Sequence, residues 1–193
     1  APINWQIIDG AEKTGVTIFK MEEGLDSGDI AAQQEFPLGS EQDALMLSDF
    51  LAQKGAAILL TVLARAETGT LSFRPQDPAQ ATYAPKLKKE DGVIHWNEYA
   101  SRIAGLVRGL LPWPTAYTYF QDKPLQVLKA EADEMACATA KQGEILEVNK
   151  SGFIRIQTGQ GSLLVQRLKP AGKREMSAGE FANGYRIAPG MHL

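Results

Sequence analysis

Gly24-Leu25-Asp26-Ser27-Gly28-Asp29 is the stretch on which the reading of this chain turns. It follows an alternating apolar run, Thr14 to Met21, that reads as a buried strand. A strand ending in a glycine-bracketed loop delivers its acid to the mouth of a sheet, where α/β proteins place their ligands. Gly24 and Gly28 tolerate backbone angles that other residues resist. Two readings of Asp26 stay open at this point. It is either an acid presented to a ligand or part of a plain surface turn, and Asp, Ser and Gly are ordinary turn residues.

Upstream, residues 4–11 read as a short helix ending at Gly10. Downstream, Ile30 to Leu38 reads as a second strand. Ser40, with Asp43 three residues on, marks the start of a helix through about residue 67. Its stripe of Leu45, Phe50, Leu51, Ile58, Leu59, Val62 and Leu63 reads as core packing, with a kink or break expected at Gly55.

The segment from Phe73 to Lys89 has no sustained period and holds Pro75, Pro78 and Pro85, so it reads as a linker or extended arm. A helix with Ala100, Ile103, Ala104 and Val107 on one side then stops before Pro112-Trp113-Pro114. Trp113 reads as a buried anchor between its prolines.

From Thr115 onward the pattern is all-β. Runs at 115–120, 125–130, 144–148, 153–158 and 162–168 are separated by turn residues, among them Asn149-Lys150-Ser151-Gly152 and Gly159-Gln160-Gly161. Five short strands predict a small OB-like barrel. Ser177-Ala178-Gly179-Glu180 is a capping box before a last helix.

Composition bounds the function. The chain has 193 residues, a hydrophobic fraction of 44% and a net charge of −3. No uninterrupted apolar run approaches the ~20 residues needed to span a bilayer. The start at Ala1-Pro2, without Met, reads as a processed or truncated chain. One cysteine, Cys137, fits a reducing cytoplasm, and one Cys with two distant His, His95 and His192, gives no metal-site spacing. Charge is uneven. Residues 1–81 carry five Lys/Arg against twelve Asp/Glu, and residues 82–193 carry fifteen against eleven. The basic second part points to a polyanionic partner, with scattered surface charge as the alternative.

Several motifs together carry a resemblance. They are Ala1-Pro2-Ile3-Asn4-Trp5, Thr14-Gly15-Val16-Thr17-Ile18, the Asp26 loop, Pro75-Gln76-Asp77, Ala81-Thr82-Tyr83-Ala84-Pro85-Lys86-Leu87, Lys89-Glu90-Asp91-Gly92, Ile94-His95-Trp96, Pro112-Trp113-Pro114 and Met176-Ser177-Ala178-Gly179-Glu180-Phe181. In this order and spacing the chain resembles the C-terminal two thirds of the methionyl-tRNA formyltransferase family. The resemblance implies residues 1–73 as the C-terminal part of a Rossmann-like catalytic domain, 74–93 as a linker, and 94–193 as an OB-like, tRNA-binding barrel.

It also implies formyl transfer from 10-formyltetrahydrofolate to the amino group of methionyl initiator tRNA, in the cytoplasm, by an enzyme that needs no metal and is a monomer when full length. Asp26 is the implied catalytic acid, and Glu22, Glu23, Gly24, Leu25 and Asp26 would line the folate pocket. Lys86, Lys88, Lys89, Arg108, Lys169, Lys173 and Arg174 are the implied tRNA contacts. The family's catalytic Asn-x-His motif has no counterpart in these 193 residues, so this polypeptide by itself is expected to be inactive.

Two rival readings remain. Amino-sugar-nucleotide formyltransferases share the Asp loop and the Pro-Trp-Pro element. They usually carry arginines where Ala84-Pro85-Lys86-Leu87 stand here, which disfavours them. The other rival is a non-catalytic nucleic-acid-binding module with an acidic helical appendage.

Overall fold

The computed structural model of the chain describes residues 1–149 and 152–193. They form two compact units: Ala11–Pro85, and Ala1–Gly10 together with Lys86–Leu193.

The first unit is a two-stranded antiparallel hairpin covered by one long helix. Strands β1 (Lys13–Phe19) and β2 (Ile30–Pro37) pair from Lys13↔Pro37 to Phe19↔Ile30. Only Thr14 in β1 is fully buried, so the strand is half-covered rather than the buried strand its apolar run predicts, and Met21 lies beyond it in solvent. A helix, α2 (Ala44–Glu67), packs on the hairpin. Its N-cap is Asp43 rather than Ser40: the Asp43 Oδ1 accepts the Met46 backbone N–H at 2.8 Å, which satisfies one of the free donors of the first turn.

The helix runs through Gly55 without a break. The space above that glycine is taken by Val16, whose Cγ1 lies 3.4 Å from where a Cβ would stand. Gly55 therefore serves close packing on β1. The expected apolar stripe is only partly core. Leu51 and Val62 of the stripe are buried, joined by Leu47 outside it, whereas Leu45, Leu59 and Leu63 are 42–51% exposed. By length and composition α2 is apolar enough to cross a membrane, a signal the scan for uninterrupted apolar runs misses because Asp49, Gln53 and Lys54 interrupt it.

In the second unit, α1 (Pro2–Ile8) lies on α3 (Ala100–Gly109). Asn4 Nδ2 donates to the Gly109 carbonyl at 2.7 Å, and Arg102 Nη1 donates to the Ile8 carbonyl at 2.6 Å. Beneath α3 lies a six-stranded antiparallel sheet. Its strands are β3 (Ala116–Phe120), β4 (Lys123–Asp133), β5 (Ile145–Val148), β6 (Ile154–Gln157), β7 (Ser162–Pro170) and β8 (Met176–Ser177). The order is β3-β4-β7-β6-β5, with β8 added on β7. No pairing of β3 with β5 closes this path among the described residues, so the sheet is not the closed barrel that the strand count predicts.

Gln121 and Asp122, both at positive φ, make the two-residue turn between β3 and β4, the form that suits a twisted hairpin. The expected turn between β5 and β6 has its centre, Lys150-Ser151, outside the described residues.

Alternation along the strands sends Ala116, Leu125, Val127, Ile154, Ile156, Leu163, Val165 and Leu168 into the core, against Ile103, Val107 and Phe181. Phe181 comes from α4 (Ala178–Tyr185) and meets Phe120 with ring centroids 5.4 Å apart. Arg155 is buried in the sheet, and its guanidinium reaches Asp133 at 3.0 Å and Glu147 at 3.1 Å. Burial opposes its charge, and these two carboxylates outweigh that opposition.

The helix α4 opens with the predicted capping box. Ser177 Oγ accepts the Glu180 N–H, and Glu180 Oε2 accepts the Ser177 N–H at 2.8 Å. The Ser177 backbone N–H, aided by Arg174 at 2.8 Å, holds the Glu180 carboxyl down to about 2. A depressed acid stabilises the fold above its unfolded pKa, and that contribution is lost as pH falls through the folded value. We therefore expect acid unfolding between about pH 4.5 and 2 to weaken in its pH dependence when Glu180→Gln removes the titrating group, as read by circular dichroism.

Candidate functional sites

In the first unit the Asp26 loop bridges the hairpin, and the chain after α2 returns to hold it. Ile30 and Arg74 exchange backbone hydrogen bonds at 2.7 and 2.9 Å, which brings Pro75-Gln76-Asp77 alongside the loop. The Gln76 Nε2 then donates to two loop carbonyls, Asp26 at 2.8 Å and Gly28 at 2.6 Å. One primary amide has two N–H groups, so a single side chain ties both ends of the turn.

Asp26 has φ +51°, in the left-handed region that Asp tolerates better than most residues, and it is exposed. Gly28 is buried where a Cβ would strike the Lys20 carbonyl, so no larger residue fits without moving the strand end. Asp77 caps the short 3-10 turn Pro78–Gln80 by accepting from the Ala79 N–H at 3.0 Å.

The result is a cleft of about 470 Å³ lined by Leu25, Asp26 and Ser27 on one side, by Ile30, Gln33 and Arg74, and by Pro75 to Pro78, Gln80 and Ala81 on the other. Its size lies within the range of about 300–1,000 Å³ usual for small-molecule sites. The Asp26 carboxylate has no hydrogen-bond donor among the described residues; only its backbone carbonyl is engaged. Glu22, Glu23 and Gly24 are exposed on the approach to the loop and do not line this cleft. Gln76 lies within the Pro75-Gln76-Asp77 motif, and nothing in its local sequence signals a role in the loop. Its role is visible only once the chain 48 residues downstream returns to the loop.

In the second unit the basic candidates separate. Lys89 and Lys169, far apart in sequence, line one cleft of about 370 Å³ with Pro114, Tyr117, Tyr119, Pro124, Gln126 and Pro170 to Gly172. Lys173 lines a smaller neighbouring cleft with Lys123. Arg174 is spent in part on Glu180 and on the Glu175 carbonyl at 3.1 Å. Lys86 and Lys88 are exposed on the arm before the 3-10 turn Lys89–Gly92, and Arg108 is half-buried on the last turn of α3. Trp113, expected as a buried anchor, is 58% exposed, so its flanking prolines present it rather than cover it. Among the described residues no group of three or more His, Cys, Asp or Glu could hold a metal ion.

The chain belongs to the formyl transferase family. Residues 1–63 match the family described as "Formyl transferase", and residues 86–186 match "Formyl transferase, C-terminal domain". Among curated relatives, a methionyl-tRNA formyltransferase of Citrifermentans bemidjiense is 41% identical over 98% of this chain and 58% of its own length. Another from Geobacter metallireducens is 41% identical over 100% of this chain and 61% of its own. The chain thus spans about three fifths of the length of these relatives. Among solved structures, HypX from Aquifex aeolicus in complex with tetrahydrofolic acid superposes with a TM-score of 0.69 at 19% identity, covering 97% of this chain and 33% of that one, a likeness of fold.

Proposed function

We propose that the chain acts, within a complete enzyme, in the transfer of a formyl group from 10-formyltetrahydrofolate to the amino group of methionyl initiator tRNA. The observation that supports this best is exposed Asp26, on a loop whose backbone the Gln76 latch holds, lining a ligand-sized cleft. The chain's 41% identity to methionyl-tRNA formyltransferases along nearly its whole length selects this reaction within the family.

In the transfer, the methionine nitrogen attacks the formyl carbon and a new C–N bond forms. The bond from that carbon to the folate nitrogen breaks. One proton leaves the amine and one arrives on the folate nitrogen. Asp26 is suited to accept or orient the first of these protons, directly or through a water or an imidazole supplied by the complete enzyme. Of the loop from Glu22 to Asp26, Leu25 and Asp26 form the near wall of the folate site, Glu22 to Gly24 stand on its approach, and Arg74 and Gln76 form its support. Residues 1–73 belong to catalysis, 74–93 to the linker and 94–193 to tRNA binding. The last of these is an OB-like sheet whose path stays open. The enzyme works in the cytoplasm as a monomer.

Formylation assays with charged initiator tRNA, run in parallel with an amino-sugar nucleotide, test the acceptor. Formylation of the sugar alone would overturn the proposal.

The lysines have their own test. Phosphate contacts release counterions, so each one steepens the salt dependence of binding. Replacing Lys86, Lys88 and Lys89 together with Gln is expected to weaken binding of every tRNA alike. The slope of log affinity against log salt should become shallower by up to ~3 units. Titration at several salt concentrations reads this directly, and unchanged slopes would place the phosphates elsewhere.

A further inference from the structure

The cleft that joins Lys89 to Lys169 is more than a pair of cations. Cross-strand register puts Tyr117 opposite Gln126, and Gln126 opposite Lys169, so the three form one row across β3, β4 and β7. Tyr119 stands opposite Pro124 two residues along. Strand alternation places this row on the face away from the core, since Ala116, Thr118, Leu125 and Leu168, its immediate neighbours, are all buried. Tyr117 and Tyr119 meet edge to face, with centroids 5.9 Å apart and planes at 78°, so they offer two walls rather than one. Tyr119 is 52% exposed.

Lys89 reaches the same place from the 3-10 turn, and Gly92 is what permits it. A Cβ on Gly92 would stand 3.1 Å from the Tyr117 ring and would strike the Thr115 carbonyl, so the turn lies flat on the sheet edge only with glycine there. Ile94 N–H then pairs with the Tyr117 carbonyl at 2.8 Å and fixes the approach. Neither Lys89 nor Lys169 has a carboxylate within ion-pair distance among the described residues, and no acidic residue lines the cleft. Gln126 donates through Nε2 to Thr115 Oγ1 at 2.7 Å, which leaves its Oε1 as an acceptor. Burial, then Tyr119 and Glu90, push the Tyr117 phenol up and keep the ring neutral.

Two free cations, two crossed aromatic rings and one amide acceptor in a space of about 370 Å³ are the parts that recognise a nucleotide taken out of a helix. We infer that this cleft takes a single unstacked nucleotide of the RNA partner, with its base against Tyr119 and Tyr117, its flanking phosphates at Lys89 and Lys169, and a base-edge amino group within reach of Gln126. The inference rests on the reading of the chain as one that acts on tRNA. It adds that one base is held by its face, where the lysines alone would sense only charge.

The test separates base from phosphate. Binding of uncharged initiator tRNA to the full chain is titrated against salt for wild type, Tyr119→Ala, Tyr119→Phe and Lys169→Gln. Tyr119→Ala is expected to weaken binding about ten- to a hundredfold with an unchanged salt slope, because stacking carries no counterion term. Tyr119→Phe should bind nearly as wild type, because the ring remains. Lys169→Gln should make the slope shallower by about one unit. A short adenine oligoribonucleotide should bind wild type more tightly than an abasic oligomer with the same phosphates, and Tyr119→Ala should erase the difference. Tyr119 is exposed, and a circular dichroism melt confirms that its variants fold. If Tyr119→Ala binds as wild type and the abasic oligomer matches the adenine one, the nucleotide cleft is overturned while the salt-dependent lysine contacts stand. If tRNA binding shows neither a salt slope nor a lysine effect, the tRNA reading falls with it.

Discussion

Asp26→Asn in the complete enzyme is expected to lower turnover about a hundredfold or more, with the Michaelis constant for tRNA little changed. The substitution keeps the shape of the side chain and removes only the charge and the proton-accepting capacity, and general acid–base groups contribute on this scale. Stability should not follow activity. Asp26 is exposed, its carboxylate supports no hydrogen bond among the described residues, and the loop is held by the Asp26 carbonyl, which the substitution leaves in place. Thermal melts of the variant should therefore overlay those of the parent. Steady-state formylation with saturating donor is the measurement, and near-normal turnover would remove Asp26 from the chemistry.

Phe181→Ala is expected to cost about 3–5 kcal/mol of stability, the range for emptying a large aromatic from a packed core. Phe181 is 0% exposed and joins α4 to the sheet through Phe120, with centroids 5.4 Å apart, and packs on Tyr185 of its own helix at 4.6 Å. Truncation leaves a cavity between a helix and a sheet whose other members are pinned by backbone pairing, so collapse is limited. Urea unfolding followed by circular dichroism measures the loss. A shift below 1 kcal/mol would show that α4 contributes little to the core.

The sequence carried much of this fold because local signals and tertiary structure agree. The capping box at Ser177 and the helix with Ala100, Ile103, Ala104 and Val107 on one side were both legible from short stretches. Each depends on interactions within a few residues.

The parts that were not legible depend on residues far apart. Apolar residues on α2 signal only that a face is hydrophobic, and nothing local says how much of that face the hairpin covers. Hence Leu45, Leu59 and Leu63 read as core and stand exposed. Two prolines around Trp113 fix a backbone, but do not decide whether the indole turns inward. Five of the six strands after Thr115 were readable, the two-residue β8 being too short to show a period, whereas closure depends on whether the two outer strands of the sheet pair, a contact made across the whole domain.

The candidate sites divide in the same way. Asp26 announced itself through its glycines, and the basic clusters through their charge. The union of Lys89 with Lys169 required the register of β4 with β7, and the rows formed by Tyr117, Gln126 and Lys169 have no signature along the chain.

The Gln76 latch has a bearing on how such a site can vary. Its amide grips main-chain carbonyls at positions 26 and 28, and among the described residues it makes no hydrogen bond to a loop side chain. The shape of the turn is thereby separated from the identity of the residues it displays. Leu25, Asp26 and Ser27 can be exchanged for other chemistries while the scaffold that aims them stays put. Loss of the amide would blur the aim of any residue placed there, however well chosen.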